Sequence, residues 1–265
     1  MTTTVSHRPN WYKQSFPSSL TIPVGSHALI PSLSRRTPTL IPFTSSEGKS
    51  LFRSAMSQGQ TESFFKLLGN FSAQSSPDLA GISSLTMALN ALEIDPKTIW
   101  KGNWRWYSGD QLKPCSPKEH VVEHGIPFDE FICLAQPHCN VDSFRVSFAP
   151  TSYEQFLQTL EQVTSDASSQ MIVHYSRSAL GQKGRQQDAH YSPVGAHNAS
   201  RQQTLIMDVD RVHHPSVWVN TRDLYHAMLK SDPSTGLPRG YFVLKPGVNS
   251  KYIKCQECTN RACQV

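Results

Sequence analysis

The chain has 265 residues, 38% of them hydrophobic and 17% charged, with a formal net charge of +5. That length suits one large domain or two small lobes around a sizeable core, and the lack of any run of about 18 apolar residues argues against a membrane-spanning helix. The positive charge is scattered, with no Lys/Arg run and no basic stripe interleaved with aromatics, so a nucleic-acid partner is not expected.

Residues 1–45 are rich in Ser and Thr, carry six prolines and contain no Asp or Glu. An acid-free, hydroxyl-rich leader resembles an organelle transit peptide, but its prolines interrupt any long amphipathic helix. The expectation is a disordered extension on a cytoplasmic protein, with organelle targeting as the alternative. From Ser46 the text becomes globular. One helix is predicted through Leu51, Phe52 and Met56, and a second through Phe64, Phe65, Leu67 and Leu68, ending near Gly69-Asn70. Residues 81–93 give the clearest helix, with Ile82, Leu85, Ala88, Leu89 and Leu92 on one continuous apolar face. An aromatic loop follows at Trp100–Tyr107, then predicted helices at 117–124 and Tyr153–Val163.

After Gln170 the period changes. Met171–Tyr175, Leu205–Val209, Val217–Val219 and Tyr241–Leu244 read as short strands bounded by turn residues. Helices precede strands, which predicts an α+β domain over 46–247. The tail, 248–265, loses the hydrophobic pattern and carries Cys255-x2-Cys258-x4-Cys263, three soft ligands suited to zinc or cadmium if they act together. A flexible reduced tail is the plainer reading. Without a secretory leader, Cys115, Cys133 and Cys139 are expected as free thiols in a reducing compartment.

The segment Gln74 to Leu85 has the layout of a cysteine nucleophile at a helix N-terminus, where the helix dipole would stabilise a thiolate. Ala80 occupies the nucleophile position. Such a nucleophile needs a histidine base oriented by a third group. His190 and Asp208 are the candidates, on strand-like segments separated by a polar turn around Asn198 that would make them antiparallel neighbours.

Residues 43–246 closely resemble the phytochelatin synthase family of glutathione γ-glutamylcysteinyltransferases, within the papain-like superfamily. The resemblance rests on Leu89-Asn90-Ala91-Leu92, the block Trp100–Trp106, His190-Tyr191-Ser192-Pro193, the stretch Leu205–Arg211 and the stretch Asp232–Gly240. It implies a papain-like fold, a helical N-terminal lobe packed on a C-terminal antiparallel sheet lobe. By position, His190 is similar to the family's general base, Asp208 to the residue orienting it, and Gln74 to its oxyanion-stabilising glutamine. Arg211, Asp232 and Arg239 resemble substrate-binding residues, the last two those holding the α-amino and α-carboxylate groups of the γ-glutamyl moiety.

The implied reaction moves γ-Glu-Cys from one glutathione to another, or to a growing phytochelatin, in heavy-metal detoxification. Cadmium, zinc or copper would ride mainly on the substrate thiolates, with no organic cofactor. Family members often form homodimers, though nothing in the sequence identifies an interface. The family pattern places Cys where this chain has Ala80, so a Cys→Ala replacement that traps substrate and a natively non-catalytic binder both fit. A γ-glutamyl peptidase acting on glutathione conjugates is a further alternative.

Overall fold

The computed structural model describes residues 37–247, apart from 99–104, 113, 115, 117–119, 122–124 and 183–187. Most of the predicted helix at 117–124, where only the helical His120 and Val121 are described, most of the Trp100–Trp106 block and the cysteine tail therefore lie outside the described residues, as does the extension up to Arg36. Secondary structure begins ahead of Ser46 among the described residues: β1 (Ile41–Pro42) pairs with β6 (Val217–Asn220).

Among the described residues seven strands form one sheet in the order β1-β6-β5-β4-β3-β7-β2, every pairing antiparallel. The others are β2 (Asn140–Arg145), β3 (Gln170–Ser176), β4 (Ala189–Asn198), β5 (Gln203–Ile206) and β7 (Gly240–Lys245). Their side chains alternate with the period of two that a pleated strand imposes. Ile172, Tyr191, Leu205, Trp218, Phe242 and Leu244 join one core; Met171, Val173, Tyr175, Val194, Ile206, Val217, Val219, Tyr241 and Val243 join the other.

Helices cover both faces. The first core takes α1 (Ser46–Ser57), α2 (Glu62–Gly69), α3 (Ala80–Ala91) and α4 (Phe128–Ala135). The second takes α5 (Pro150–Ser165) and α6 (Thr221–Met228). The α+β expectation takes the form of an antiparallel sheet with helices on each face. This is why all seven residues of β3, the polar Gln170, His174 and Ser176 included, are buried.

Local chemistry sets the boundaries. Ser45 caps α1 by accepting from the Gly48 N–H at 3.0 Å, and Gly48 lets α1 cross β1 closely, since a Cβ there would lie 2.2 Å from the Pro42 carbonyl oxygen. Helix α3 is buried along its whole length, not on one face only. Leu85, Met87 and Leu89 are fully enclosed, each contributing about 1.5–3 kcal/mol on burial. Its polar Asn90 is used twice, accepting from the Tyr107 N–H (2.8 Å) and donating to the Tyr107 carbonyl (3.1 Å). Gly195 sits where the β4–β5 register shifts; a Cβ there would meet Met207 Sδ at 2.8 Å. That close pass lets the chain after β5 turn back over β4.

Cys133 is disulfide-bonded to a residue outside those described, which corrects the expectation of free thiols; Cys139 is free and buried.

His197 on β4 is fully buried, and neither ring nitrogen has a hydrogen-bond partner. Burial pushes its pKa down to about 4. The unfolded chain, titrating near 6.5, therefore takes up a proton that the folded chain refuses, and stability falls as pH drops below that value. His197 should cost the protein about 2 kcal/mol between pH 7 and pH 5. Urea midpoints at the two pH values should converge by about that amount in His197→Leu; an unchanged pH slope would contradict the assignment.

Candidate active site

Asp208 does not lie inside a strand, as the sequence suggests, but two residues beyond the end of β5. It is completely buried. A carboxylate there needs several donors to offset lost hydration, and it has them. Arg177 Nη1 donates to Oδ2 at 2.8 Å and Nη2 to Oδ1 at 3.0 Å, a two-pronged pair. The Asp210 N–H donates to Oδ1 at 2.9 Å, and His190 Nε2 lies 2.9 Å from the same oxygen.

Arg177, one residue past β3, is a member of the site that sequence reasoning missed. Its Nη1 also reaches Gln182 Oε1 at 3.0 Å, its Nη2 lies 3.7 Å from Asp210 Oδ2, and its own N–H donates to the Asp188 carbonyl at 2.8 Å. The one available signal is a charged residue placed directly after the strand that carries the apolar run Met171–Val173.

His190 Nε2 faces both the Asp208 carboxylate, which only accepts, and Arg177 Nη2, which only donates, at 2.9 Å each. The two contacts ask for opposite tautomers; the full charge on Asp208 favours the proton on Nε2, which makes Nδ1 the basic nitrogen. Burial holds the His190 pKa below its ordinary value; Asp208 opposes that effect and Arg177 adds to it. The ring is therefore neutral at pH 7. Burial alone would raise the Asp208 carboxyl, but the His190 imidazole and the Arg177 guanidinium outweigh it and hold it well below the usual range.

Ala80 is the first residue of α3, preceded by the 3-10 turn Pro77–Leu79, and is buried. The first turns of α3 reach β4 at the residue after His190: Ser84 Oγ donates to the Tyr191 carbonyl at 3.1 Å, and a Cβ on Gly81 would contact the Tyr191 ring at 3.5 Å. Gln74 is tied to the same corner, its N–H donating to the Val209 carbonyl at 2.9 Å, while its Oε1 is buried without a partner.

The remaining sequence candidates divide. Arg211 is exposed and lies over the Phe71 ring at 5.6 Å, so it is not brought to His190 and Asp208. Asp232 and Arg239 are buried, and both are engaged in shaping the loop that carries them. Asp232 Oδ1 accepts from the Ser234 N–H (3.0 Å) and hydroxyl (2.8 Å). Arg239 Nη1 donates to the carbonyls of Lys230 and Ser231 at 2.8 and 3.2 Å, and Nη2 to Asp188 Oδ2 at 3.4 Å. Polar capacity is left over: Arg239 Nε is buried without a partner, and so are both ring nitrogens of His174, whose Nε2 is 3.8 Å from Asp232 Oδ2. Cys255, Cys258 and Cys263 lie outside the described residues.

The family profile described as phytochelatin synthase matches residues 33–241. Glutathione gamma-glutamylcysteinyltransferase 1 of Arabidopsis thaliana is 41% identical over 219 residues, covering 80% of this chain and 44% of that protein. Glutathione gamma-glutamylcysteinyltransferase 3 of Lotus japonicus is 40% identical over 211 residues, with 78% and 43% covered. The Schizosaccharomyces pombe glutathione gamma-glutamylcysteinyltransferase is 34% identical over 207 residues, with 78% and 49% covered. The chain thus spans less than half the length of each of these relatives.

Removing one partner from a buried charge pair leaves the other unsatisfied, which typically costs about 3–5 kcal/mol. Asp208→Asn and Arg177→Met should each destabilise the fold on that scale, and the double variant should lose clearly less than the sum of the singles. Denaturant unfolding of the three variants tests this. Additive losses would mean that the two side chains do not depend on each other.

Proposed function

This chain belongs to the phytochelatin synthase family, and on that premise we propose a papain-like glutathione γ-glutamylcysteinyltransferase scaffold in which Ala80 fills the nucleophile position. The observation that carries the reading is the buried Asp208–His190–Arg177 network, which leaves a neutral imidazole with Nδ1 unprotonated next to where α3 meets β4. Asp208 has no reason to be buried on packing grounds. A fixed tautomer is what it supplies.

With a thiol at position 80, the chemistry follows. His190 Nδ1 takes the thiol proton, the sulfur attacks the Cys–Gly carbonyl of glutathione, and the imidazolium returns the proton to the departing glycine nitrogen. The γ-Glu-Cys thioester then passes to an amine acceptor, or to water. Gln74, with a side chain at the same corner, is the candidate donor to the developing oxyanion. The unpaired polar atoms around Asp232, Arg239 and His174 suit a zwitterionic γ-glutamyl head group, which needs one anion and one fork-shaped cation. Heavy-metal ions enter as thiolates of the substrate.

Ala80 favours a second reading for the chain as it stands. A methyl group cannot carry an acyl group, and Ser83 lies one turn further along α3, displaced by roughly 5 Å. This molecule would then hold glutathione or its metal thiolates without turning them over.

Ala80→Cys should confer glycine release from glutathione, and His190→Ala in that background should lower it by about 100-fold or more. Free glycine, quantified by amine derivatisation, is the readout. A well-folded Ala80→Cys protein that releases no glycine would overturn the transferase reading and leave the binder.

A further inference from the structure

Parity along β3 turns His174, like Ile172 two residues before it, toward the first core, with Tyr191 of β4 and Gly240 of β7 as its cross-strand neighbours. Its ring lies parallel to that of Tyr191, with centroids 4.2 Å apart and planes within 4°. Phe128 lies 6.3 Å away. Packing of that kind asks for a flat ring, and a phenyl would serve it. The imidazole is the costlier choice. Both of its nitrogens are buried without a hydrogen-bond partner, and a hydrogen bond left unmade in the interior disfavours the fold. A polar ring at such a position points to a partner that binding supplies.

The geometry names the group through which that partner is met. Nε2 lies 3.8 Å from Asp232 Oδ2, about 1 Å beyond a hydrogen bond. Ser234 donates to Oδ1 from both its N–H and its hydroxyl, so among the described residues Oδ2 is the oxygen left to a ligand. The two side chains are layered. His174 is fully enclosed and Asp232 keeps 4% exposure, so an incoming group meets the carboxylate and not the ring. Burial above all, with the Arg239 and Arg145 guanidiniums adding to it, holds the His174 pKa well below its ordinary value. The ring is therefore neutral and has one N–H to give.

Resting on the γ-glutamyl reading of this pocket, we propose that His174 is a positioning residue for Asp232, and through it sets the preference for a substrate with a free α-ammonium. Its Nε2–H donates to Oδ2 and closes the 3.8 Å gap once an ammonium draws on that carboxylate. Hydrogen bonds that are long in a free enzyme commonly tighten in this way in its complexes. With Ser234 on one oxygen and His174 on the other, the carboxylate is held from both sides, and a remaining lone pair of Oδ2 faces the ligand. What the unpaired N–H withholds from folding is then recovered on binding.

Calorimetric titration of the chain as it stands, with glutathione and with its deaminated analogue in which glutaryl replaces γ-glutamyl, reads the preference directly. His174→Phe keeps the stacked ring and removes both unpaired nitrogens. Its urea midpoint should rise while its glutathione affinity falls about tenfold, the loss of one charge-assisted hydrogen bond. Affinity for the analogue should not change. His174→Gln, which returns an N–H donor on a flexible stem, should recover most of the loss. An unchanged preference for glutathione over the analogue in His174→Phe, whatever its stability, or a Gln variant as weak as the Phe variant, would overturn the positioning role. NMR of labelled histidine tests the same role without a variant. The His174 Nε2 proton should shift saturably with glutathione and not with the analogue; a resonance unmoved by glutathione would overturn it. If the unmodified chain binds neither ligand, or both equally, the γ-glutamyl reading of the pocket fails together with the inference. A preference that survives His174→Phe sinks His174 alone.

Discussion

The site depends on one buried carboxylate. Asp208 is fully removed from water, and four N–H groups from Arg177, His190 and Asp210 converge on it. Every element of the corner serves that convergence. β3 ends so that Arg177 follows it, β4 begins so that His190 is its second residue, and β5 stops short so that Asp208 leaves the ladder. The cost of burying the charge is returned as orientation: the imidazole has one proton, on a known nitrogen, and stays neutral because its surroundings disfavour a second.

The sheet makes this arrangement rigid. Its two faces carry separate cores, so residues of alternate parity along β3 and β4 are locked from opposite sides. Tyr191 shows the consequence. Its ring stacks on Phe131 and His174, its hydroxyl donates to the Ile126 carbonyl at 2.7 Å, and its own carbonyl receives Ser84. A residue held from so many directions fixes its neighbour His190 relative to α3. Position 80 is therefore set by packing that is independent of which side chain occupies it.

Much of this was legible in the sequence, and the reasons are specific. The period of α3 and the β-branched runs of β3, β6 and β7 carry strong local signals. The antiparallel pairing of β4, which carries His190, with β5, which leads to Asp208, follows from the short polar turn at Asn198. What escaped has weak local signals. β2 is an edge strand with mixed polarity, Asn-Val-Asp-Ser-Phe-Arg, and only Val141 is buried. α6 begins directly after β6, with Asn220 as its cap, accepting from Arg222 and Asp223; the strand pattern hid the helix. Arg177 escaped for a different reason. Its role exists only because folding brings it to Asp208, 31 positions along the chain. The placement of Arg211 over Phe71 likewise shows that adjacency in sequence to Asp208 does not confer adjacency to the imidazole.

On the proposed reading, Ala80 stands where a thiol would begin a proton transfer that a methyl group cannot. The central claim is thus about His190 rather than position 80. It is tested most directly by 15N NMR of the imidazole at pH 7, using long-range ring couplings to identify the protonated nitrogen. The account predicts a neutral ring carrying its proton on Nε2, its pKa held below the ordinary histidine value by burial. A proton on Nδ1, or a charged ring at pH 7, would contradict it.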